Sequence, residues 1–377
     1  MPGNDETRRQ LAQLRSVLNS QKSTWQASET AITALSDDEF KYRLGASPPS
    51  GTTLGDIEAM AALRRAEIRA ERRGAGAPAA YDLRNVGGKN FITAIKDQGS
   101  CGSCVSFGVC AVMEGTLRVQ KNDPNLAIDL SEAHLLYCHG RAQGHTCSTG
   151  WIPDEALQTC KSVGIVDEGC YPYTAGDQNC TGRCSNWQQR LHKVTDFHVL
   201  TAPADMKTWI AMKGPLAACF IVYDDFRYYN SGVYHHVSGA QLGGHCISIV
   251  GYDDTANCWI CKNSWGAGWG ENGFFKIAYG ECGIETWQVC SAEGITTPQN
   301  DDQEGVWQKN RLVTSLWCND QPRNAWIYAD TLGWKKLSPA SEAVFLNLLN
   351  QSAAAKSARR PVSFREQDGA IKELYVV

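Results

Sequence analysis

The sequence predicts an α+β chain in three parts. These are a helical segment over residues 1–80, a two-lobed domain over 81–294 whose helical half precedes an antiparallel β half, and a small β-rich domain over 299–377. Three observations carry this reading. Apolar residues at helical spacing fill the first segment and the start of the second, alternating or β-branched runs take over beyond Pro215, and polar, glycine-rich or acidic stretches separate the parts. Helices first and antiparallel strands later imply a cleft where the two halves meet.

Each element follows from its residues. "ETRRQLAQLRSVLNSQ" sets apolar residues on one helical face, and Ser36 opens a capping-type sequence in "LSDDEFKYRL". After "GASPPSGTTLGD" an arginine-rich helix runs to "GAGAPAA", and residues 74–80 read as a flexible, cleavable linker. "CGSCVSFGVCAVMEGTLRVQ" is a buried helix entered through a glycine turn, with further helices at "SEAHLLYC" and "IPDEALQTCKSVG". Strands are expected at "LAACFIVY", "GVYHH", "HCISIVGYD", "CWICKNS" and "GFFKIAYG". In the last part, strands at "RLVTSLW", "AWIYAD" and "PVSFRE" surround a helix in "SEAVFLNLLNQSAAAKSA", and "QDGAIKELYVV" closes a hairpin at Asp368 and Gly369.

Composition bounds the function. With 377 residues, 43% of them hydrophobic and 20% charged, the chain has ample material for a buried core. A formal net charge of −4 gives no reason to expect nucleic acid or an anionic membrane as partner, and the basic run "LRRAEIRAERRG" reads as a solvated helix face. No stretch approaches the roughly 18 consecutive apolar residues of a membrane span, so a soluble chain is expected. The start "MPGNDETRRQ" lacks the pattern of a secretory signal, whereas sixteen cysteines favour a disulfide framework and a secreted or extracytoplasmic location.

The chemistry starts from "DQGSCGSCVSFG", residues 97–108. Zinc needs about four ligands. Cys258 and Cys261 in "CWIC" would offer a second pair, but they sit on a strand pattern and leave the glycine-rich loop unexplained, so no metal is expected. A redox pair belongs in a βαβ context, and no strand clearly precedes this one. A nucleophilic thiol remains: Cys104 opens the helical run, where unpaired N–H groups and the helix dipole favour a thiolate, while Cys101 is better placed for a disulfide. The base and its orienting group must come from elsewhere. Of eight histidines, His245 starts a buried strand after Gly243 and Gly244, two residues that let another chain approach the backbone. Asn263 lies in "CKNSWGAGWGENGFF", flanked by aromatics that would keep water from an imidazole–amide bond. Taken singly, Gln98 and Asn263 serve equally well as loop and turn formers, and Trp265 and Trp269 as core.

Taken together, these three separated motifs resemble the papain family of cysteine peptidases over residues 80–294. The 141 residues from Cys104 to His245 are part of that resemblance. The second half is most similar to cathepsin B, through "SGVYHHVSGAQLGGHCISIVGYD" and "NSWGAGWGENGFFKI…CGIE". The resemblance implies a papain-like two-lobed fold and peptide-bond hydrolysis with no cofactor. In it Cys104 is the nucleophile, His245 the general base and later acid, and Asn263 holds the imidazole. The side-chain amide of Gln98 joins the Cys104 N–H in the oxyanion hole, and Trp265 shields the His–Asn bond. Protein or peptide substrates would pair with Gly150 in "CSTGW", with Trp151 and Ile152 walling the adjacent apolar pocket and Gly244 and Trp265 completing the set. Residues 1–80, most clearly "TALSDDEFKYRLGA", resemble a propeptide that runs through the cleft and blocks Cys104 until cut near 74–80. The same thioester would also support transpeptidation, and a weakly active scaffold would serve as a binding protein.

Several residues depart from the family. Val105 stands where most relatives have Trp, changing the packing behind Cys104, and Thr149 replaces a glycine and would narrow the pocket. "GCYPYTAGDQNCTGRCSN" is short and free of histidine where cathepsin B carries an occluding loop, so an open primed end and endopeptidase action are expected. His235 and His236 read as surface or strand-end residues. By analogy Cys101 pairs with Cys147, and Cys138 and Cys170 pair with Cys180 and Cys184 in an undetermined order. The odd number of cysteines besides Cys104 leaves at least one further free thiol, with Cys110 and Cys219 as candidates. The last domain lies outside the family's fold. Its strands and helix, with Trp307, Trp317, Trp326 and Trp334, suit a small barrel-like or OB-like binding module with an adhesive or targeting role toward a glycan or protein ligand; such aromatics either stack on sugars or peptides or fill the core, and core is the preferred reading here.

Overall fold

The computed structural model describes residues 5–70, 77–298, 306–339, 341–367 and 370–377. The chain divides into two units, Met1–Pro298 and Gln299–Val377. Among the described residues, no helix is long and apolar enough to cross a membrane.

The first unit is built around the helix Cys104–Lys121. Val105, Val109, Val112, Met113 and Leu117 are all buried, as an unbroken apolar run requires of a helix enclosed on several sides. It ends where Asn122 turns left-handed, with φ 49°. The helix packs on the strand Gln241–Asp253, and Gly108 sets the closeness of that contact, since a Cβ there would lie 2.8 Å from Cys246 Sγ. This contact brings the start of the helix and the start of the strand to one place.

The strand belongs to an eight-stranded sheet ordered Lys193–Leu200, Val289–Thr296, Leu216–Tyr223, Gln241–Asp253, Cys258–Lys262, Phe274–Ala278, Val233–Tyr234, with Ala80–Asp82 added beside Gln241–Asp253. Leu216–Tyr223 is buried at every position, which explains its continuous apolar run. The longest elements that the sequence pattern does not announce are the strands Lys193–Leu200 and Val289–Thr296 and the helix Pro203–Met212. Lys193–Leu200 is covered only in part, so its apolar residues do not alternate. "SEAHLLYC" contributes a π-helix, His134–Gly140, and "GVYHH" shrinks to Val233–Tyr234.

The disulfides are Cys101–Cys147, Cys138–Cys180 and Cys170–Cys184. Ten cysteines are free, nine of them buried, Cys110 and Cys219 included. The expected framework is therefore confined to the loop-rich helical half; in the β half the thiols pack as small apolar groups.

The N-terminal helices Asp5–Ser20, Asp37–Lys41 and Leu54–Ala70 are part of the same unit. Leu11, Leu14 and Leu18 form a buried stripe on the first. Ser36 caps the second: its hydroxyl accepts the Glu39 N–H at 3.3 Å, and the Glu39 carboxylate accepts the Ser36 N–H at 2.8 Å. Between these helices Gln26–Ala27 pairs with Tyr229–Ser231. Of the expected linker at 74–80, residues 74–76 lie outside the described residues, and Ala80 already opens the strand Ala80–Asp82.

In the second unit, strands Val306–Cys318, Ala325–Ala329, Gly333–Leu337, Ala370–Val376 and Pro361–Gln367 close a barrel in that order. Gly333–Leu337 and Ala370–Val376 run parallel, and the helix Glu342–Ala358 precedes Pro361–Gln367. This is an OB-type arrangement. Ala325, Ile327, Ala329, Val362, Phe364 and Ile371 fill the interior. Trp307, Trp317 and Trp334 do not: they are 40%, 47% and 48% exposed, which corrects the expectation of a tryptophan core. Asp368 and Gly369 lie outside the described residues, while the strands flanking them pair antiparallel.

Candidate active site

Cys104 is the first residue of its helix and is fully buried. Burial pushes its thiol up to about 12, against the pull of backbone N–H groups at Cys246, Gly45 and Val105. His245 is equally buried, and burial pushes its imidazole down to about 4 despite the Asn263 hydrogen bond. His245 Nε2 donates to Asn263 Oδ1 at 2.8 Å, because a carboxamide oxygen only accepts. The proton therefore sits on Nε2 and the lone pair on Nδ1, which has no hydrogen-bond partner among the described residues. Trp265 covers this pair, its ring centroid 4.7 Å from that of the imidazole.

Gln98 is buried beside the thiol loop. Its Nε2 donates to Cys101 O at 2.8 Å and to Arg43 O at 3.0 Å. Two residues that sequence reasoning missed hold it there. The Ser264 hydroxyl donates to Gln98 Oε1 at 2.6 Å while the Ser264 N–H donates to Asn263 Oδ1 at 2.8 Å, tying the amide donor to the imidazole clamp. The Tyr173 hydroxyl donates to Gln98 O at 2.7 Å. Ser264 was findable from its place between Asn263 and Trp265; nothing local singles out Tyr173.

The cleft holds an extended stretch of the N-terminal segment. Trp151 N–H donates to Gly45 O at 2.9 Å, Ala46 N–H to Gly244 O at 3.0 Å and Ser47 N–H to Trp151 O at 2.9 Å. Ala46 and Trp151 pair in parallel. Gly150 and Gly244 leave room for this strand, since a Cβ on either would lie 2.2 Å from Gly45 O or 2.3 Å from Ala46 O. The pairing backbone here is that of Trp151 rather than Gly150. The Trp151 indole is buried, stacks on His145 and donates to Glu155 Oε2 at 3.1 Å, and Ile152 caps the helix Pro153–Ser162. Upstream, Phe40 meets Trp265 edge-on at 5.3 Å and Arg43 reaches Asp97 at 2.8 Å. His236 lies apart, stacked on Tyr223 at 3.8 Å and 3.2 Å from the buried Asp225.

A thiol at a helix start, an imidazole oriented by an amide, a second amide donor and a cleft that holds extended backbone together suit acyl transfer through a thioester. The family model described as "Papain family cysteine protease" matches residues 77–292. "Cathepsin B-like CP3" of Giardia intestinalis is 38% identical over 223 residues, 55% of this chain and 72% of that protein. "Gut-specific cysteine proteinase" of Caenorhabditis elegans is 34% identical over 257 residues, 60% of this chain and 78% of that protein. Among solved structures, proCathepsin B S9 from Trypanosoma congolense superposes with a TM-score of 0.61 at 24% identity, over 76% of this chain and 98% of that one. The digestive procathepsin L2 of Tenebrio molitor gives 0.61 at 26% identity, over 76% and 91%.

Proposed function

We propose that this chain, which belongs to the papain family of cysteine proteases and is cathepsin B-like, is an endopeptidase held as a zymogen by residues 1–80 and followed by an accessory domain over 299–377. The observation that carries the reading is the stretch at residues 43–47: its backbone leaves a turn at Arg43, whose carbonyl oxygen lies 3.0 Å from Gln98 Nε2, and crosses the thiol loop to pair with Trp151 and Gly244.

With the N-terminal segment removed, water reaches Cys104 and His245, and the proton passes from Sγ to Nδ1. The thiolate attacks the substrate carbonyl carbon, and the oxyanion accepts from the Cys104 N–H and Gln98 Nε2. Collapse breaks the C–N bond as His245 returns the proton to the leaving amine. Water, deprotonated by Nδ1, then cleaves the thioester and releases the acid and the thiol.

The direction of the N-terminal strand explains why it is not itself cut. It runs parallel to Trp151, whereas a substrate that pairs antiparallel there would present its carbonyl to Cys104 in the opposite sense. An open primed end is supported by the loop at residues 169–186. The Cys138–Cys180 disulfide, Arg141 donating to Gln178 O at 2.7 Å, and Asp177 accepting the Cys147 N–H at 2.9 Å hold this loop on the helical half, while Cys170–Cys184 closes it on itself. The disulfides also support action in an oxidising, extracytoplasmic setting.

The test is cleavage of an internally quenched peptide with a blocked C-terminus by the processed enzyme. Internal cleavage supports the reading. Release of C-terminal dipeptides alone, from unblocked peptides, would replace it with an exopeptidase.

A further inference from the structure

The C-terminal barrel carries a cleft of ≈ 610 Å³ lined by Trp317, Asn319, Gln321, Asn324, Trp326 and Trp334. Trp317 and Trp326 are partners across the first two barrel strands, and Trp334 opposes Tyr328 on the third, their rings edge to face at 5.4 Å. Ala325, Ile327 and Ala329 fill the barrel, so the alternate positions put the aromatics on its outer face.

The amides come from the turn at residues 319–324 and are already ordered. Asn324 Nδ2 donates to Asn319 Oδ1 at 2.9 Å and to Gln321 Oε1 at 3.1 Å, while Asn324 Oδ1 accepts the Trp326 indole N–H at 3.2 Å. This fixes the amide oxygens inward. It leaves the Asn319 and Gln321 amino groups as donors with no partner among the described residues.

We propose that this face binds a neutral oligosaccharide. The proposal does not rest on the peptidase reading, because it concerns a separate unit of the chain. A pyranose ring has an apolar C–H face that stacks on indole and a rim of hydroxyls that bind carboxamides, and flat aromatics beside ordered amides offer both. The outer face of the second and third strands, with the turn before them, is where an OB barrel takes oligonucleotides or oligosaccharides. Charge decides between the two. A strand of nucleic acid needs a cationic groove beside its stacking rings. Here none of the six lining residues is charged, and residues 299–377 hold ten Lys and Arg against nine Asp and Glu. Lys336 lies 5.9 Å from the Trp326 ring, and the turn at 319–324 adds one charge of each sign, Asp320 and Arg323.

The test uses the full-length Cys104→Ala chain, so that no processing occurs, titrated with five neutral hexasaccharides: β-1,4-glucose, β-1,4-N-acetylglucosamine, β-1,3-glucose, β-1,4-xylose and β-1,4-mannose. Tryptophan fluorescence reports binding. Saturable binding of at least one sugar is expected, weakened about tenfold or more by Trp317→Ala and by Trp334→Ala. Trp307→Ala, which removes an exposed tryptophan packed instead against Tyr375, leaves it unchanged. Unaltered thermal melts show that the variants fold, and Trp317→Phe, which keeps a stacking ring, retains binding. No saturable binding of any of the five overturns the proposal. So does binding indifferent to both tryptophans, or saturation of this face by oligodeoxythymidylate or a polyproline peptide instead of a sugar.

Discussion

A Cβ placed on Gly45 would lie 1.9 Å from the carbonyl oxygen of Gly102, two positions before Cys104. The N-terminal segment thus crosses the nucleophile loop closer than any side chain permits, and the same strand keeps water from the thiol and the imidazole.

Gly45→Ala is expected to lift the strand from the loop. Relieving that overlap costs about 1–3 kcal/mol, and it comes out of the binding of the segment rather than the stability of the catalytic unit. The full-length variant should react with an epoxide peptide inhibitor about 10- to 100-fold faster than the parent. An unchanged rate would show that Gly45 does not set the block.

Acid is expected to loosen the same segment. Glu39 is held below its ordinary value of 4.5 by the backbone and side-chain hydrogen bonds of Ser36, and Asp56 below 3.8 by those of Thr53. Both folded values lie under the unfolded ones, so the contribution is complete above the unfolded values and is lost as pH falls through the folded ones. Both carboxylates sit at starts of N-terminal helices. Inhibitor labelling of the full-length chain, corrected for the pH dependence of the processed enzyme, should therefore accelerate below about pH 4. Glu39→Ala should label faster than the parent at neutral pH and gain less on acidification.

In the processed enzyme, Gln98→Ala should lower kcat about 100- to 1000-fold with little change in KM, since its amide serves the transition state. Ser264→Ala removes the hydroxyl that holds Gln98 Oε1 at 2.6 Å and should cost about tenfold, again in kcat. A KM effect alone would assign both residues to ground-state binding.

How much of this was legible in the sequence depends on whether the cause is local. Cys104, His245 and Asn263 stand out because glycines and aromatics surround them in sequence as they do in space, and the Ser36 capping box can be read directly. Tyr173 acts across 75 positions of chain on a backbone carbonyl, which no neighbouring residue signals. A cysteine count does not separate core thiols from bridges; the six cysteines that the resemblance pairs are the six that bridge, and burial accounts for nine of the other ten. The barrel tryptophans show the opposite case. "AWIYA" alternates Ala and Ile with Trp and Tyr, and the period of a strand puts the two sets on opposite faces; residue type alone favours the large aromatics for the core, whereas Ala325, Ile327 and Ala329 fill it.

The most direct test of a thiol nucleophile blocked by its own N-terminal segment is intact-mass analysis after exposure to an epoxide peptide inhibitor, on the full-length chain and after removal of residues 1–80. One adduct, on Cys104 and only after removal, is expected, with the other free thiols unmodified and no adduct in Cys104→Ala. Equal labelling before and after removal, an adduct that survives Cys104→Ala, or none in either state would contradict it.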